Sequence, residues 1–398
     1  MGLSEPFGLL IADFRTRRSE IWNLHFELPG KAGAPMFRLV LTSVLTVLQL
    51  YVLWRAVPLW EHRGWRFGFA AVAVVLWGMV VAFWYGRLGH GNLGHALRAV
   101  SLSWMGILFL LAVALLAADL LTGFGWLFSP QVTLIRRLGL AAGVLMSLTA
   151  FIQAARPPVI ERHEVILPGL PAALDGTKVV AMSDLHLSPR DAGRWLEARV
   201  RQVQGEKPDA ILLLGDITED HWDEITPVSQ GLSGLQAPLG TWAVIGNHES
   251  YGNVRINTSV MERAGVRVVR NAAIELRPGL VLAGVDDLSA ATREQAVREL
   301  DRTLTGRPAG ATVLMSHAPV AADHVAARGV ALMLSGHTHR GQIWPFNYLV
   351  ATRFPLIDGR YQVDGLTAIV CRGTAWWGPP MRLWYRGAIL SLTLRAGP

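Results

Sequence analysis

Four long apolar runs dominate the first part of the chain, and short apolar runs separated by polar segments make up the rest. Each long run approaches the ~20 residues that a helix needs to cross a bilayer, and the last is the shortest. Tryptophans lie near the ends of several runs, as is typical of membrane-spanning helices. The pattern therefore favours four transmembrane helices over buried helices of a soluble protein, at residues 37–54, 67–85, 100–121 and 138–154.

Arginine and lysine beside these runs predict the orientation. Positive charge stays preferentially in the cytoplasm, and the side of both chain ends carries nine such residues against five on the other, so we expect both ends and the catalytic part in the cytoplasm. If the short fourth run did not span, the catalytic part would lie outside. The nine are Arg15, Arg17, Arg18, Lys31, Arg38, Arg87, Arg98, Arg156 and Arg162, and the five are Arg55, Arg63, Arg66, Arg136 and Arg137.

Two features at the margins of the runs leave alternatives open. Residues 1–36 mix apolar and charged positions, so this juxtamembrane segment either lies along a membrane surface or is a disordered lead. It lacks the short apolar core and cleavage site of a secretory signal. Asp119, near the end of the third run, is expected at the interface, with a functional intramembrane acid as the alternative.

Beyond Pro157 and Pro158, which end the last long run, the pattern changes to that of a soluble α/β domain. Alternating strands and helices predict a layered α/β architecture with a largely buried sheet. We therefore divide the chain into a juxtamembrane segment, a transmembrane domain and a catalytic domain, at residues 1–36, 37–155 and 156–398. The predicted strands are 177–183, 209–215, 241–246, 280–284, 311–316, 330–335 and 366–372, and the predicted helices are 192–203, 253–264 and 292–304.

Composition supports membrane association. Hydrophobic residues make up 51% of the 398 residues and charged residues 17%, with a mean hydropathy of +0.32. Cys371 is the only cysteine, so no intrachain disulfide can form. The net charge of +7 indicates either cytoplasmic flanks that face anionic lipid or recognition of phosphate. Because no basic run has interleaved aromatic residues, nucleic-acid binding is not expected.

Metal-binding residue types follow five of the predicted strands. Because polar residues at the carboxyl ends of strands in an open α/β sheet point into one crevice, we expect these side chains to converge. Any single one has an ordinary explanation, such as a helix cap or a turn, but five together indicate a site. The residues are Asp184 and His186, Asp216, Asn247 and His248, His317, and finally His337 and His339.

The last pair lies in a glycine-flanked turn, between Gly336 and Gly341. In a regular strand His337 and His339 would point to the same side, whereas in a turn they can diverge towards two adjacent ions. Neutral imidazole is the commonest side-chain metal ligand. On its own, this His-x-His is a weak signal.

These motifs, in this order, resemble the calcineurin-like metallophosphoesterases. The resemblance rests on Asp-x-His, Gly-Asp, Gly-Asn-His-Glu, a separate His and Gly-His-x-His, and it covers about residues 160–398. The segments 341–345 and 371–382 look like the membrane-anchored bacterial branch of the family, which implies a bacterial inner (plasma) membrane. The resemblance also implies a four-layer α-β-β-α sandwich behind the four transmembrane helices.

The resemblance further implies two divalent metal ions bridged by Asp216. Asp184, His186 and His339 would complete one site, and Asn247, His317 and His337 the other. Two ions ~3.5–4 Å apart need one shared carboxylate and mixed nitrogen and oxygen ligands, which this set supplies. Manganese suits such a site best, with iron or zinc as alternatives.

Other residues receive roles by the same resemblance. His248 would be the non-ligand catalytic histidine. Relatives orient this histidine with an Asp, where this chain has Glu219 beside Asp220, and we expect Glu219 to be the partner. Arg340, where the anchored branch usually has Gly, either grips a second phosphate or is a solvated loop residue. An apolar lip that faces lipid is one interpretation of Trp376, Trp377 and Met381, with core packing the alternative.

The leading functional hypothesis is a membrane-anchored two-metal phosphoesterase that cleaves a phosphate ester or diphosphate bond of a lipid-linked substrate, such as the lipid A precursor UDP-diacylglucosamine. The expected partners are the lipid bilayer and this phosphorylated substrate; the oligomeric state is left open. A cyclic-nucleotide or nucleic-acid phosphodiesterase is the alternative enzyme. A non-catalytic, metal-stabilised membrane scaffold or sensor is less favoured because His248 stands beside a full ligand set.

Overall fold

A computed structural model describes residues 34–85, 91–188, 193–219, 226–251 and 253–397. Most of the juxtamembrane segment, Asp220, and the arginines and lysine at positions 15–31 and 87 lie outside these ranges. By its internal contacts the chain divides into a first unit, Met1–Leu45, and a second unit, Thr46–Pro398. The described part of the first unit is helical. The domain boundaries expected at 36/37 and 155/156 stay predictions.

Four helices in the first part of the chain confirm the four apolar runs. They are long and apolar enough to cross a membrane. Each begins about three to nine residues before its apolar run and ends within about two residues of the end of that run. Arg156 is extended and precedes Pro157, which ends the fourth helix. The helices are α1 (Ala34–Ala56), α2 (Arg63–Trp84), α3 (Gly91–Leu121) and α4 (Val132–Ala155).

Helices α3 and α4 pack closely through glycine. A Cβ atom on Gly143 would lie 3.0 Å from the Leu111 Cα, and one on Gly139 would lie 3.1 Å from the Ala114 carbonyl oxygen. Small residues at such a crossing let two helix backbones approach, which is the usual basis of helix association in membranes. The pairing aligns residues near 111 of α3 with residues near 143 of α4.

Asp119 is buried between the helices. Its carboxylate accepts hydrogen bonds from Arg55 Nε at 2.6 Å, Arg136 Nε at 2.9 Å and the Tyr51 hydroxyl at 2.9 Å. The Asp119 side chain is 0% exposed. The acid at the end of the third run is therefore a shared partner of two arginines from two other helices.

The rest of the chain forms two six-stranded sheets. The strands in chain order are β1 (Val159–Leu167), β2 (Lys178–Met182), β3 (Ala210–Leu214), β4 (Thr241–Val244), β5 (Arg267–Val268), β6 (Ala272–Arg277), β7 (Gly279–Gly284), β8 (Gly310–Met315), β9 (Leu332–Ser335), β10 (Gly359–Val363), β11 (Leu366–Val370) and β12 (Ala388–Ala396). The sheet orders are β1-β12-β2-β3-β4-β5 and β10-β11-β9-β8-β7-β6. In both sheets the central strands that carry the candidate ligands, β2–β3–β4 and β8–β9, are parallel.

Helices cover the outer face of each sheet. They are α5 (Arg194–Gly205), α6 (Thr226–Leu232) and α8 (Val254–Arg263) on the first sheet, and α9 (Arg293–Leu304) and α10 (Ala322–Ala327) on the second. Two further helices, α7 (Asn247–Tyr251) and α11 (Phe346–Arg353), both described in full, contribute no residue to the apolar cores beneath the other five.

Three apolar cores separate the layers. The inner core joins the sheets, with Leu212 of β3 and Leu282 of β7 both in it. Leu213, the next residue of β3, points to the opposite face and packs with α5 and α8, as the two-residue period of a strand requires. A third core joins the second sheet to α9 and α10. This arrangement confirms the predicted four-layer α-β-β-α sandwich.

Candidate metal centre

The candidate ligands lie on loops that leave the carboxyl ends of parallel strands, as the sequence predicts. The first sheet contributes Asp184, His186, Asp216 and Asn247, and the second contributes His317, His337 and His339. Neither sheet alone holds the whole set. The site therefore exists only because the two sheets face each other across the inner core.

The backbone at these positions is strained. Five of the seven candidates have a positive φ, between 45° and 70°: Asp184, His186, Asp216, His337 and His339. A residue other than glycine costs about 1–3 kcal/mol in such a conformation, and clusters of them mark functional sites. Strain at five positions indicates that the surrounding loops hold these side chains in place for a purpose other than stability.

One group of donor atoms comes from Asp184, His186 and His339. The Nε2 atoms of the two histidines are 3.1 Å apart, and His339 Nε2 is 3.3 Å from Asp184 Oδ1. Asp184 is fully buried. Burial opposes its ionisation, but His339 and His317 outweigh this and hold the pKa of the carboxyl well below its usual value. The carboxylate is therefore charged and available to a cation.

A second group comes from Asp216, Asn247, His317 and His337. Asn247 Oδ1 lies 2.9 Å from His337 Nδ1 and 3.1 Å from His317 Nε2. His317 Nε2 is also 3.2 Å from Asp216 Oδ2. His317 Nδ1 donates to the Leu214 carbonyl at 2.8 Å. That bond leaves the Nε2 lone pair of neutral His317 facing the other donor atoms.

These two groups fit a pair of divalent cations. Carboxylate oxygens, an amide oxygen and imidazole nitrogens all present lone pairs at mutual distances near 3 Å, an arrangement that repels unless a proton or a cation lies between them. Asp216 Oδ2 lies 3.2 Å from His317 Nε2 and 3.9 Å from His186 Nε2. Asp216 thus stands between the two groups, where a bridging carboxylate is required.

The His-x-His turn separates its two histidines, as expected of a turn. His339 joins Asp184 and His186, while His337 joins Asp216 and His317. Gly336 makes the approach possible, because a Cβ there would lie only 1.7 Å from Ser183 Oγ.

Glu219 contacts two histidines at once. Its Oε1 is 2.7 Å from His186 Nδ1, and its Oε2 is 3.2 Å from His248 Nδ1. Burial raises the pKa of Glu219, but contacts with His186 and His248 outweigh it and hold that pKa near 2. Burial lowers the pKa of His248, yet Asp216 and Glu219 together raise it to about 10. The structure therefore pairs Glu219 with His248, and also with a candidate ligand.

His248 lies close enough to His186 and Asp216 to belong to a third group of potential ligand atoms. Its backbone N–H donates to Asp216 Oδ1 at 2.9 Å, and its Nδ1 is engaged by Glu219. The imidazole Nε2 is the ring nitrogen that Glu219 does not engage.

Glu249 is a structural residue that sequence reasoning passed over. Its wholly buried carboxylate accepts backbone N–H groups of Gly246, Asp216, Ile217 and Thr218 at 2.7–2.9 Å. It thereby ties the loop after β3 to the loop after β4. The signal was present in Gly-Asn-His-Glu, but nothing local indicates which backbone groups the carboxylate would meet.

Arg340 lies in a different cluster from the candidate ligands. Its guanidinium pairs with Asp358 and stacks on Tyr385 at 3.4 Å from the ring centroid. Asp358 also pairs with Arg372. The Arg340 side chain is thus neither freely solvated nor among the ligand groups, and its contact with a substrate phosphate stays a prediction.

The segment 371–382 packs against the candidate metal centre. Arg382 is almost wholly buried; it donates to the carbonyls of Arg372 and Gly373 and approaches His339 Nδ1 at 3.4 Å. Of the three proposed lip residues, Trp377 is exposed, Trp376 is half-buried and Met381 is buried. The Trp377 ring lies 5.8 Å from that of His248.

Asp287 is a second acid that the sequence analysis did not select. It follows β7. Burial raises the pKa of its carboxyl, the nearby His317 opposes this rise, and the Asp216 carboxylate adds to it. Its oxygens accept from the Ser289 backbone N–H and hydroxyl. An acid beside a strand end was the available signal, but β7 had no motif to single it out.

Comparison with known proteins agrees with this geometry. The sequence profile described as calcineurin-like phosphoesterase matches residues 177–341. A transmembrane protein with metallophosphoesterase domain from Bos taurus is 33% identical over 270 residues, covering 64% of this chain and 61% of the relative. One of the same description from Danio rerio is 27% identical over 402 residues, covering 90% of this chain and 89% of the relative. An uncharacterized metallophosphoesterase of Aquifex aeolicus is 30% identical over 240 residues, covering 59% of this chain and 91% of the relative.

Proposed function

The chain belongs to the calcineurin-like phosphoesterase family and is a metal-dependent phosphoesterase, and from that premise we propose that it hydrolyses a phosphate ester or diphosphate bond of a lipid-linked substrate. The observation that carries the proposal is the convergence of Asp184, His186, Asp216, Asn247, His317, His337 and His339, with His248 beside them. We include Mn²⁺ as the preferred metal, with iron or zinc as alternatives.

The residues divide the work. Two bound divalent cations would polarise phosphoryl oxygens and activate a water molecule. Asp184, His186 and His339 would hold one ion and Asn247, His317 and His337 the other, with Asp216 shared. The Glu219 carboxylate accepts a hydrogen bond from His248 Nδ1–H and fixes the ring. The His248 Nε2 proton is then available to the phosphoryl or leaving-group oxygen.

The position of the site supports a lipid-linked substrate. Trp377, next to His248, is held by Gln342, whose side chain bonds both its N–H and its carbonyl at 2.9 Å. The same segment continues to Met381, which packs beside Gly106 of α3. Trp377, in ring contact with His248, is therefore only a few residues from a contact with a helix that can span the membrane. We propose an amphiphilic diphosphate such as UDP-diacylglucosamine.

The proposal also covers the side of the membrane on which the catalytic part lies and the kind of membrane that holds the chain. We propose that α4 delivers the catalytic part to the cytoplasmic side, because Arg98, Arg156 and Arg162 flank the spans there. Relatives come from bacteria and from animals, so an inner bacterial membrane rests on the resemblance of the segments 341–345 and 371–382 alone.

Hydrolysis assays test the proposal. Detergent-solubilised protein with Mn²⁺ should hydrolyse bis-p-nitrophenyl phosphate, and His248→Ala should lower turnover by about 10²–10⁴-fold. UDP-diacylglucosamine in mixed micelles should then be preferred over a cyclic nucleotide. A preference for the cyclic nucleotide would reject the lipid substrate, and unchanged turnover in His248→Ala would reject the mechanism.

A further inference from the structure

Four exposed apolar or aromatic side chains lie on two neighbouring segments of the catalytic part. Phe346, Tyr348 and Leu349 belong to α11 and are 45%, 65% and 56% exposed, and Trp384 is 52% exposed. The Leu383 N–H donates to the Gln342 carbonyl at 3.0 Å and joins the two segments. We call these four side chains the aromatic surface. Such a patch in contact with water would be costly.

The two segments that carry the aromatic surface are packed against candidate membrane-spanning helices. The Phe346 ring meets the Phe109 ring of α3 edge-on, with centroids 6.2 Å apart. Ile343, Met381 and Leu383 form one apolar cluster with Leu110 of α3 and Ala150 of α4.

A hydrogen bond fixes this contact at the level of α4. The Arg382 N–H donates to the Ala150 carbonyl at 2.9 Å. Ala150 is five residues before the end of α4 at Ala155, or about 8 Å along the helix. Gly143 of α4 is twelve residues, or about 18 Å, from the same end at Ala155. Leu111 of α3 lies beside Gly143.

The lipid-facing side of α4 lies at the same level. Leu148 and Ile152, which flank Ala150, are 56% and 57% exposed. If α4 spans the bilayer, these two side chains face acyl chains. Arg382 is hydrogen-bonded to Ala150, and Phe346 is in ring contact with Phe109. The segments that carry Arg382 and Phe346 therefore cannot lie in bulk water while Leu148 and Ile152 lie in lipid.

We propose that the aromatic surface is immersed in the leaflet on the catalytic side, as a membrane contact additional to the four spans. Its occupant is lipid, because the surface continues that of α3 and α4. Tyrosine and tryptophan are the residues that favour the boundary between headgroups and acyl chains, and Tyr348 and Trp384 of the aromatic surface are both more than half exposed. This inference does not depend on the substrate or on hydrolysis.

Site-directed fluorescence in nanodiscs tests it with the full chain. Cys371 is buried and is the only cysteine, so Cys371→Ala provides a background for single labels. An environment-sensitive label on Leu349→Cys should be quenched by doxyl-labelled phospholipid at least about twofold more than a label on Ile166→Cys. Ile166, on β1, is 58% exposed and is the matched control. Iodide in the buffer should show the opposite order.

A label on Tyr348→Cys repeats the measurement if Leu349→Cys folds poorly, with thermal unfolding as the check. Equal doxyl quenching at positions 349 and 166 would overturn the proposal. Shielding of position 349 from both quenchers would also overturn it, because a protein partner or a second copy would then cover the surface.

Discussion

Glu219 shows how one extra methylene group changes the connections of a site. Its carboxylate reaches both the candidate ligand His186 and the catalytic candidate His248. The two rings stand edge-on with centroids 4.7 Å apart. A shorter acid at this position would hold one ring firmly and release the other. Orientation of a ligand and orientation of the proton donor are therefore coupled in this chain.

Shortening the Glu219 side chain should separate its contact with His186 from its contact with His248. Glu219→Asp is expected to lower kcat by about 10–100-fold, because partners behind metal ligands typically contribute that much. The matched control is Glu197→Asp, a conservative change on the exposed face of α5. Steady-state kinetics with bound metal measured on the same samples makes the test. Equal kcat in both variants would contradict the shared role.

Removing the catalytic histidine should leave the metals in place. His248→Ala is expected to retain both ions, because the seven candidate ligands remain, while turnover falls by about 10²–10⁴-fold. His324→Ala, which removes a histidine paired with Asp301 on α9, is the control and should change neither quantity. Loss of metal from His248→Ala would instead make His248 a ligand.

At this scale the sequence revealed most of the candidate ligands and few of their supports. A buried apolar run that ends in Asp-x-His or Gly-Asn-His is visible without a structure, because strand ends carry such residues to one edge. Glu249 binds backbone groups of the loop after β3, and Arg382 approaches His339 in another loop. Their partners are determined by tertiary folding, so no local pattern indicates them.

Among the elements, α3 and the segment 371–382 meet at one glycine. A Cβ on Gly106 would lie 2.5 Å from the Met381 Sδ and 3.1 Å from the Pro379 Cβ. Both neighbours are buried. The contact connects a helix that can span a membrane with the segment whose Arg382 approaches His339.

Filling this space should be destabilising. Gly106→Ala is expected to lower the free energy of unfolding by about 1–3 kcal/mol, because an extra methyl group overpacks a filled site. Gly78→Ala on α2 is the control, since nothing lies within 4 Å of its Cβ position, and it should be neutral or stabilising. Unfolding in detergent measures both. Equal stability of the two variants would contradict the tight packing.

Elements with a continuous apolar run were predicted from the sequence, and strands without one were missed. All seven predicted strands and all four spans are present, because each has a continuous apolar run. Strands β1 and β10 were missed because charged or polar residues interrupt them, so neither has the continuous apolar run that identified the predicted strands. Strands β5, β6 and β12 were also missed, because β5 is only two residues long and polar residues interrupt the apolar positions of β6 and β12.

For the whole molecule, the buried ion cluster of α1, α3 and α4 holds the spans together. Asp119→Asn would leave the buried Arg55 and the half-buried Arg136 without their carboxylate and should cost about 3–5 kcal/mol of stability. Glu61→Gln is the control: it breaks the exposed pair with Arg137 and should have little effect. Similar melting temperatures for the two variants would contradict the clamp.

Two sheets bring seven side chains together in an arrangement suited to a pair of cations. Anomalous diffraction from crystals of the full chain loaded with Mn²⁺ tests this most directly. We predict two peaks ~3.5–4 Å apart, with Asp216 between them, Asp184, His186 and His339 around one, and Asn247, His317 and His337 around the other. A single peak, or peaks away from these residues, would contradict the account.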